Sequence, residues 1–404
     1  MRIGIIGSGI VGLTLAYEIT NHNPDCKINI FEKEDNSISH GTGRNSGVIH
    51  SGIYYTPNSL RSELCIEGSR LMKKFIQDHK LYLNPCGKLL IPRYLNDLES
   101  LDFLFERSKE VGVHAIKLNS KEEILKIEPN CNPKFDRALF IKDTAIGDPR
   151  EVSAKLLELL KQRKVSILYH HEVTKVVSNK GLVYVKDTLF EFDLVINAAG
   201  LYADQIAKIS NLKTNYSSLP FKGKYWSVKT TNPSELPKTL LYPVPNLAHP
   251  FVGIHTVYDK SGNFYLGPSS TPVFGKEAYK PFQKFKLIEF VTLVLKFFTK
   301  VFKNENKLRN LAISEFRNLF LSHIKKSTEV YFKNSSNLIL KESKKVGIRS
   351  QIFDNKSKTL FNDFIVIKKN KTVHILNAIS PAWTSSFAMA KYIDSNFIQP
   401  HIQK

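Results

Sequence analysis

Cysteine is scarce, with four in 404 residues at Cys26, Cys65, Cys86 and Cys131. None forms a C-x-x-C pair or has a histidine at ligand spacing, so neither a disulfide framework nor a zinc site is indicated, and buried reduced thiols in a cytosolic protein are expected. Long apolar runs are also missing. The best candidate, residues 287–302, is broken by Glu289, Lys296 and Lys300, which removes a transmembrane helix from consideration. The apolar start at Ile3 has no basic region ahead of it and reads as a strand rather than a cleaved leader. Acidic residues are short as well: 37 Asp and Glu face 58 Lys and Arg, a net charge of +21. Such an excess suits an anionic substrate, an anionic membrane or nucleic acid. No recognition motif accompanies the charge, so nucleic acid is not expected as a partner. At 42% hydrophobic content the chain can bury a large core and divide into two or three domains.

What is present begins at the N-terminus. Residues 2–6 read as a strand, Gly7-Ser8-Gly9-Ile10-Val11-Gly12 follows at once into a helix, and Glu32 closes the next strand. Gly7 permits a tight turn, Gly9 lets backbone approach a pyrophosphate, and Gly12 lets the helix pack on the strand, while the helix points its positive end at phosphate. Glu32 is placed to accept hydrogen bonds from a ribose diol, which favours FAD or NAD over NADP.

Strand–helix alternation near both ends, with a different texture between, argues for one α/β sheet domain assembled from separated pieces with a second domain inserted. Residues 41–52 form a Gly- and Ser-rich loop, 60–80 a helix, 87–93 a strand and 98–110 a helix. Asp148 and Pro149 open a further helix as cap and first residue. Residues 192–204, FDLVINAAGLYAD, read as an apolar parallel-type strand ending in small residues, against which a cofactor can lie; a tight packing turn is the other reading. Near the C-terminus, within the segment 377–393, Pro381 and small residues precede a closing amphipathic helix. The expected division is 1–80, 145–220 and 340–404 for a Rossmann-like βαβ domain, and 81–144 and 221–339 for an inserted mixed-sheet domain that carries a basic helical region at about 281–330.

Several segments, in this order, resemble the FAD-dependent L-2-hydroxyglutarate oxidase/dehydrogenase family, within the larger D-amino-acid oxidase and glycerol-3-phosphate dehydrogenase superfamily. They are GRNSGVIHSGIYY (43–55), CGKLLI (86–91), INAAGLYAD (196–204), PFKGKYW (220–226), LYPVPNLAHPFVGIHT (241–256), LGPSS (266–270), VGIRSQ (346–351) and HILNAISPAWTSS (374–386). The resemblance implies a fold of D-amino-acid oxidase type, α/β in its cofactor domain and α+β overall. It also implies FAD, oxidation of a 2-hydroxy acid to a 2-oxo acid, and electrons passed to quinone or oxygen. At the cofactor it places Gly7, Gly9, Ile10, Val11, Gly12, Glu32 and Lys33. Arg44, Asn45, Ser46, Val173, Ala199 and Gly200 join them, as do Ser380, Pro381 and Ala382. The chain departs from the family pattern at Lys222-Gly223-Lys224, at Ser269-Ser270, at Ile379 and at Trp383, whose indole reshapes a pocket near a flavin.

Oxidising an alcohol on a flavin needs a base, an anion clamp and a dry pocket. Neutral imidazole suits the base, and His50 and His255 are the candidates. Arg349, between two apolar segments, is the expected carboxylate clamp because its planar fork matches a carboxylate bidentately; an internal salt bridge is the alternative. Arg44 serves cofactor phosphate or the loop fold. Lys222 and Lys224 are candidates for a distal carboxylate, and Tyr54, Tyr55, Tyr225 and Tyr242 for hydroxyl donors or pocket walls. Covalent attachment of FAD at His50 or Cys65 stays open. No metal is expected.

Residues 276–345 hold sixteen Lys and Arg against six Asp and Glu. Within them FKLIEFVTLVLKFFTKVFK alternates apolar stripes with lysines, as an interfacial helix on an anionic bilayer would, or as a core helix with a solvated lysine face. The expectation is a cytoplasmic enzyme, peripheral on the inner face of the membrane. It acts on L-2-hydroxyglutarate; the alternatives are a sister flavoenzyme for another 2-hydroxy acid or an amino acid, and a non-catalytic basic flavoprotein.

Overall fold

The computed structural model describes residues 1–246, 252–280, 283–305 and 308–402, apart from the Ser350 side chain. Motif residues 247–251, including Pro250 and Phe251, lie outside it, as do 281–282 and 306–307 of the basic region.

The apolar strand Arg2–Ile6 buries Ile3 and Ile5 completely and takes a central place in a six-stranded sheet. Leu194–Asn197 lies on one side of it and Lys27–Phe31 on the other, both parallel. Ser166–Leu168 and Thr372–Leu376 extend the parallel order, and Ile365–Lys369 closes one edge antiparallel. Strands covered on both faces need apolar side chains throughout, which is how Leu194–Asn197, buried at every position, reads. Helices Ile10–His22, Leu60–Asp78, Pro149–Gln162 and Ala382–Ile393 supply much of the covering core. The Asp148 carboxylate accepts the Arg150 N–H at 2.8 Å as the cap, with Pro149 first in the helix. Gly68 brings Leu60–Asp78 against Ala382–Ile393, for a Cβ there would stand 2.5 Å from the Thr384 carbonyl oxygen.

A second layer is built on a long antiparallel ladder between Tyr216–Lys229 and Ile339–Asp354, with a bulge between Lys224 and Trp226. Phe264–Gly267 and His255–Tyr258 extend it. Both long strands run without interruption through residues 220 and 340, so the ladder joins what the sequence divides there. Beside it a four-stranded sheet pairs Leu240–Pro243, Lys88–Ile91, Ala138–Ile141 and Ala115–Leu118. The basic region forms helices Leu287–Phe302, Leu308–Arg317 and Leu321–Thr328. Leu293, Phe297, Leu308 and Leu311 face inward, and the last three join a core with Leu219, Phe221 and Phe353. Among the described residues no helix is long and apolar enough to cross a membrane.

Candidate active site

One cavity of about 930 Å³ runs from the glycine turn at the end of the first strand to the face of the long ladder. This is at the upper end of the roughly 300–1,000 Å³ range of small-molecule sites. At its first end Gly7 holds φ +108°, and a Cβ there would meet the Ala198 carbonyl oxygen at 2.6 Å. A Cβ on Gly12 would stand 2.0 Å from the Gly7 carbonyl oxygen; this glycine packs helix on turn and is absent from the cavity wall. Gly9 does line the cavity and has only the Thr42 hydroxyl near its Cβ position, at 3.3 Å, leaving bare backbone open at a helix N-terminus. Glu32 lines the same end. Its Oε2 accepts the Ser8 N–H at 3.0 Å and the Ser8 hydroxyl at 2.7 Å, and its Oε1 accepts the Glu34 N–H at 3.1 Å.

The remaining residues expected at the cofactor gather along this cavity. Ile10, Val11 and Lys33 line it beside the turn, followed by Arg44, Asn45 and Ser46 from the Gly-rich loop. Val173 lines it after the strand Ser166–Leu168, Ala199 and Gly200 after Leu194–Asn197, and Ser380, Pro381 and Ala382 at the start of the closing helix. Arg44 supports its own loop: Nε donates to the Ser39 carbonyl at 2.9 Å and the guanidinium stacks 3.9 Å from the Tyr279 ring. A cradle of bare glycine backbone, a helix N-terminus and a carboxylate just after the second strand fits FAD, and the same cavity continues to buried histidines and an arginine.

At the other end stand His50, His255, Arg349, Tyr225, Tyr242 and Trp383, with Tyr54 and Tyr55. His255 opens the strand His255–Tyr258, and its ring stacks on Tyr242 at 3.9 Å and 17°. Its Nδ1 lies 2.8 Å from the Gly253 carbonyl, an acceptor only, so the proton is assigned to Nδ1 and Nε2 keeps a lone pair. Burial, opposed by the Gly253 bond and reinforced by Lys88 and Arg349, pulls the imidazole down to about 3. His50 is likewise held well below the ordinary histidine range by burial, with Lys88, His255 and Arg61 adding to it, and its Nδ1 meets no hydrogen-bond partner among the described residues. Both rings are therefore neutral near pH 7. Arg349 sits opposite Phe221 in the long ladder, its guanidinium 3.4 Å from the Cβ position of Gly223. Any larger residue at 223 would crowd it.

Lys222 and Lys224 do not reach the cavity wall. The Lys222 ammonium donates to the Ala278 carbonyl at 2.6 Å, and Lys224 pairs with the exposed Glu342 at 2.8 Å. Conversely, sequence reading missed Arg61 and Glu315, both buried and both in the wall. Arg61 donates to the carbonyls of Asn362 (2.8 Å) and Ser380, and stacks 4.5 Å from the Tyr55 ring. It thereby anchors the closing motif from 319 residues away. The Glu315 carboxylate accepts the Ser270 N–H at 2.7 Å, and burial pushes it up against the lowering effects of hydrogen bonds and of Arg349. Neither residue carries a local pattern that marks it.

Known proteins agree with this geometry. Residues 2–395 match the DAO family, FAD dependent oxidoreductase. The chain is 32% identical over 414 residues to the mitochondrial L-2-hydroxyglutarate dehydrogenase of Bos taurus, covering 97% of this chain and 87% of that protein. It is 30% identical over 410 residues to the L-2-hydroxyglutarate dehydrogenase of Escherichia coli K12, covering 97% and 92%. Among solved structures it superposes on the FAD-bound L-alpha-glycerophosphate oxidase of Mycoplasma pneumoniae with a TM-score of 0.73 at 24% identity, covering 96% and 92%. With glycine oxidase of Geobacillus kaustophilus the TM-score is 0.70 at 14% identity, covering 97% and 94%. Cradle, wall and relatives together place this chain in the DAO family of FAD-dependent oxidoreductases, with the L-2-hydroxyglutarate dehydrogenases as its close kin, and make FAD its cofactor.

Proposed function

We propose that this chain oxidises L-2-hydroxyglutarate to 2-oxoglutarate and passes the electrons to quinone at an anionic membrane surface. The observation that carries the chemistry is the shared cavity: the glycine turn opens into the same space as a buried guanidinium and an imidazole whose free nitrogen is set by its own backbone contact. FAD, when bound, supplies the hydride-accepting ring. Arg349 pairs with the carboxylate next to the hydroxyl carbon through its two parallel N–H groups. His255 Nε2 accepts the hydroxyl proton as the carbon gives up hydride, with His50 in the same wall. Tyr225, Tyr242 and Trp383 bury the reacting carbon and exclude water. The names of the relatives support glutarate as the carbon skeleton.

Anaerobic titration tests the reading. Adding L-2-hydroxyglutarate to the purified yellow protein should bleach its flavin absorbance, and the D-isomer should leave it unchanged. Bleaching by neither isomer, with flavin bound, would overturn the substrate assignment.

A further inference from the structure

Lys88 is fully buried on the strand Lys88–Ile91, and its ammonium meets no hydrogen-bond partner among the described residues. Parallel pairing sets Lys88 opposite Leu240, so the two-residue period of the strands puts Tyr242 on the same face. The ammonium lies 5.3 Å from the Tyr242 ring and 4.2 Å from that of Tyr54, and both rings line the cavity. The phenol oxygens of Tyr54 and Tyr242 are themselves buried without a partner among the described residues. Lys88 and the two tyrosines beside it thus bring three buried donors with no acceptor among the described residues, although such groups are almost always satisfied. No carboxylate of the described chain acts on Lys88: burial draws the ammonium down to about 7, and only the Cys65 thiol opposes this. Arg349 lies in the wall, and it and Lys88 both act on the His255 ring. An acceptor brought by the ligand would complete the set.

We propose that Lys88 is a specificity-determining residue, which together with the Tyr54 and Tyr242 hydroxyls receives the second carboxylate of a dicarboxylate substrate. The inference rests on the substrate reading above and deepens it. It moves the distal-charge role from Lys222 and Lys224, whose ammonium groups are engaged elsewhere, to a lysine directly behind two tyrosines of the wall. A substrate with one carboxylate would leave the ammonium and both hydroxyls unmet.

The test is calorimetric binding of glutarate and of butyrate, the same chain with one carboxylate removed, to the FAD-loaded protein. Wild type should favour glutarate by about tenfold or more, the scale of a hydrogen bond to a charged group. Lys88→Met should bring the two affinities together. Should that variant fail to fold with FAD, wild type alone still decides the matter by pH. Between pH 6 and 9 the preference should fall as Lys88 loses its proton. His50 and His255 are already neutral there, Cys65 stays protonated because burial pushes it to about 12, and burial holds the Tyr54 and Tyr242 hydroxyls up. Arg61 and Arg349 stay charged. Glu315 acts at Arg349 and on the carboxylate common to both ligands, so it cancels in the ratio. A glutarate preference kept by Lys88→Met, or one independent of pH, would overturn the role of Lys88 while leaving the dicarboxylate reading in place. No preference in wild type would overturn both.

Discussion

A histidine serves as base only when one nitrogen is unprotonated and faces the proton to be removed, and backbone decides this for His255. The Gly253 carbonyl takes the Nδ1 proton, leaving Nε2 as acceptor, and stacking on Tyr242 fixes the ring plane. His50 has its backbone N–H held 3.0 Å from the Thr384 hydroxyl, but no contact sets its ring tautomer. His255→Asn should therefore slow flavin reduction by about 10²–10⁴-fold, the usual worth of a positioned base, while glutarate still binds. Stopped-flow reduction checks this, and a normal rate in that variant would transfer the role to His50. Sequence reading named His50 from its Gly-rich loop, His255 from its strand and Arg349 from its apolar flanks, and the structure brings all three to one cavity wall. Lys88, Arg61 and Glu315 were not legible in the sequence, since a charged residue reads as solvated until packing removes the water.

Among the elements, the second strand and the segment after Pro272 are joined by charge. Glu34, two residues beyond Glu32, shares Lys33, His40 and Lys284 with Glu277, and the Tyr202 hydroxyl donates to Glu277 at 2.6 Å. Burial raises both carboxyls, but hydrogen bonds from lysines, His40 and Tyr202 outweigh it and leave each at about 2 against an ordinary 4.5. A depressed folded-state value stabilises the protein above about pH 4.5, and that contribution disappears as pH falls toward 2. The melting temperature of wild type should drop over this interval more steeply than that of Glu277→Gln, which has one such carboxyl fewer. Equal slopes would mean the cluster contributes nothing. Sequence reading assigned Lys33 to the cofactor; the structure keeps it in the wall and also binds it to both glutamates.

For the molecule as a whole, one surface carries an apolar load that folding has not covered. Ile288 is 84% exposed and Phe302 82%, with Leu287, Leu295, Phe298, Phe316 and Phe320 exposed on the same run of helices. Lysines interleave them in the most basic part of the chain. Exposed apolar clusters rimmed by one charge sign suit an anionic bilayer, where each basic residue near the surface adds about 1 kcal/mol. The protein should co-sediment with phosphatidylglycerol vesicles and not with phosphatidylcholine vesicles. Ile288→Asp with Phe302→Asp should abolish this without changing turnover with a soluble dye acceptor. Equal sedimentation with both lipids, or none with either, would sink the membrane part of the proposal.

The sequence by itself determined the first strands of the parallel sheet and the glycine turn with its acid, because these depend on local backbone freedom and on short-range period, while FAD followed from the family resemblance. Gly7, Gly12 and Pro149 state their conformations within a few residues. Only the tertiary structure decided which cations are buried and which find a partner. Lys88, Lys222 and Lys224 look alike as charges in a chain, and what separates them is the water each loses and the partner each finds when strands from distant segments come into register.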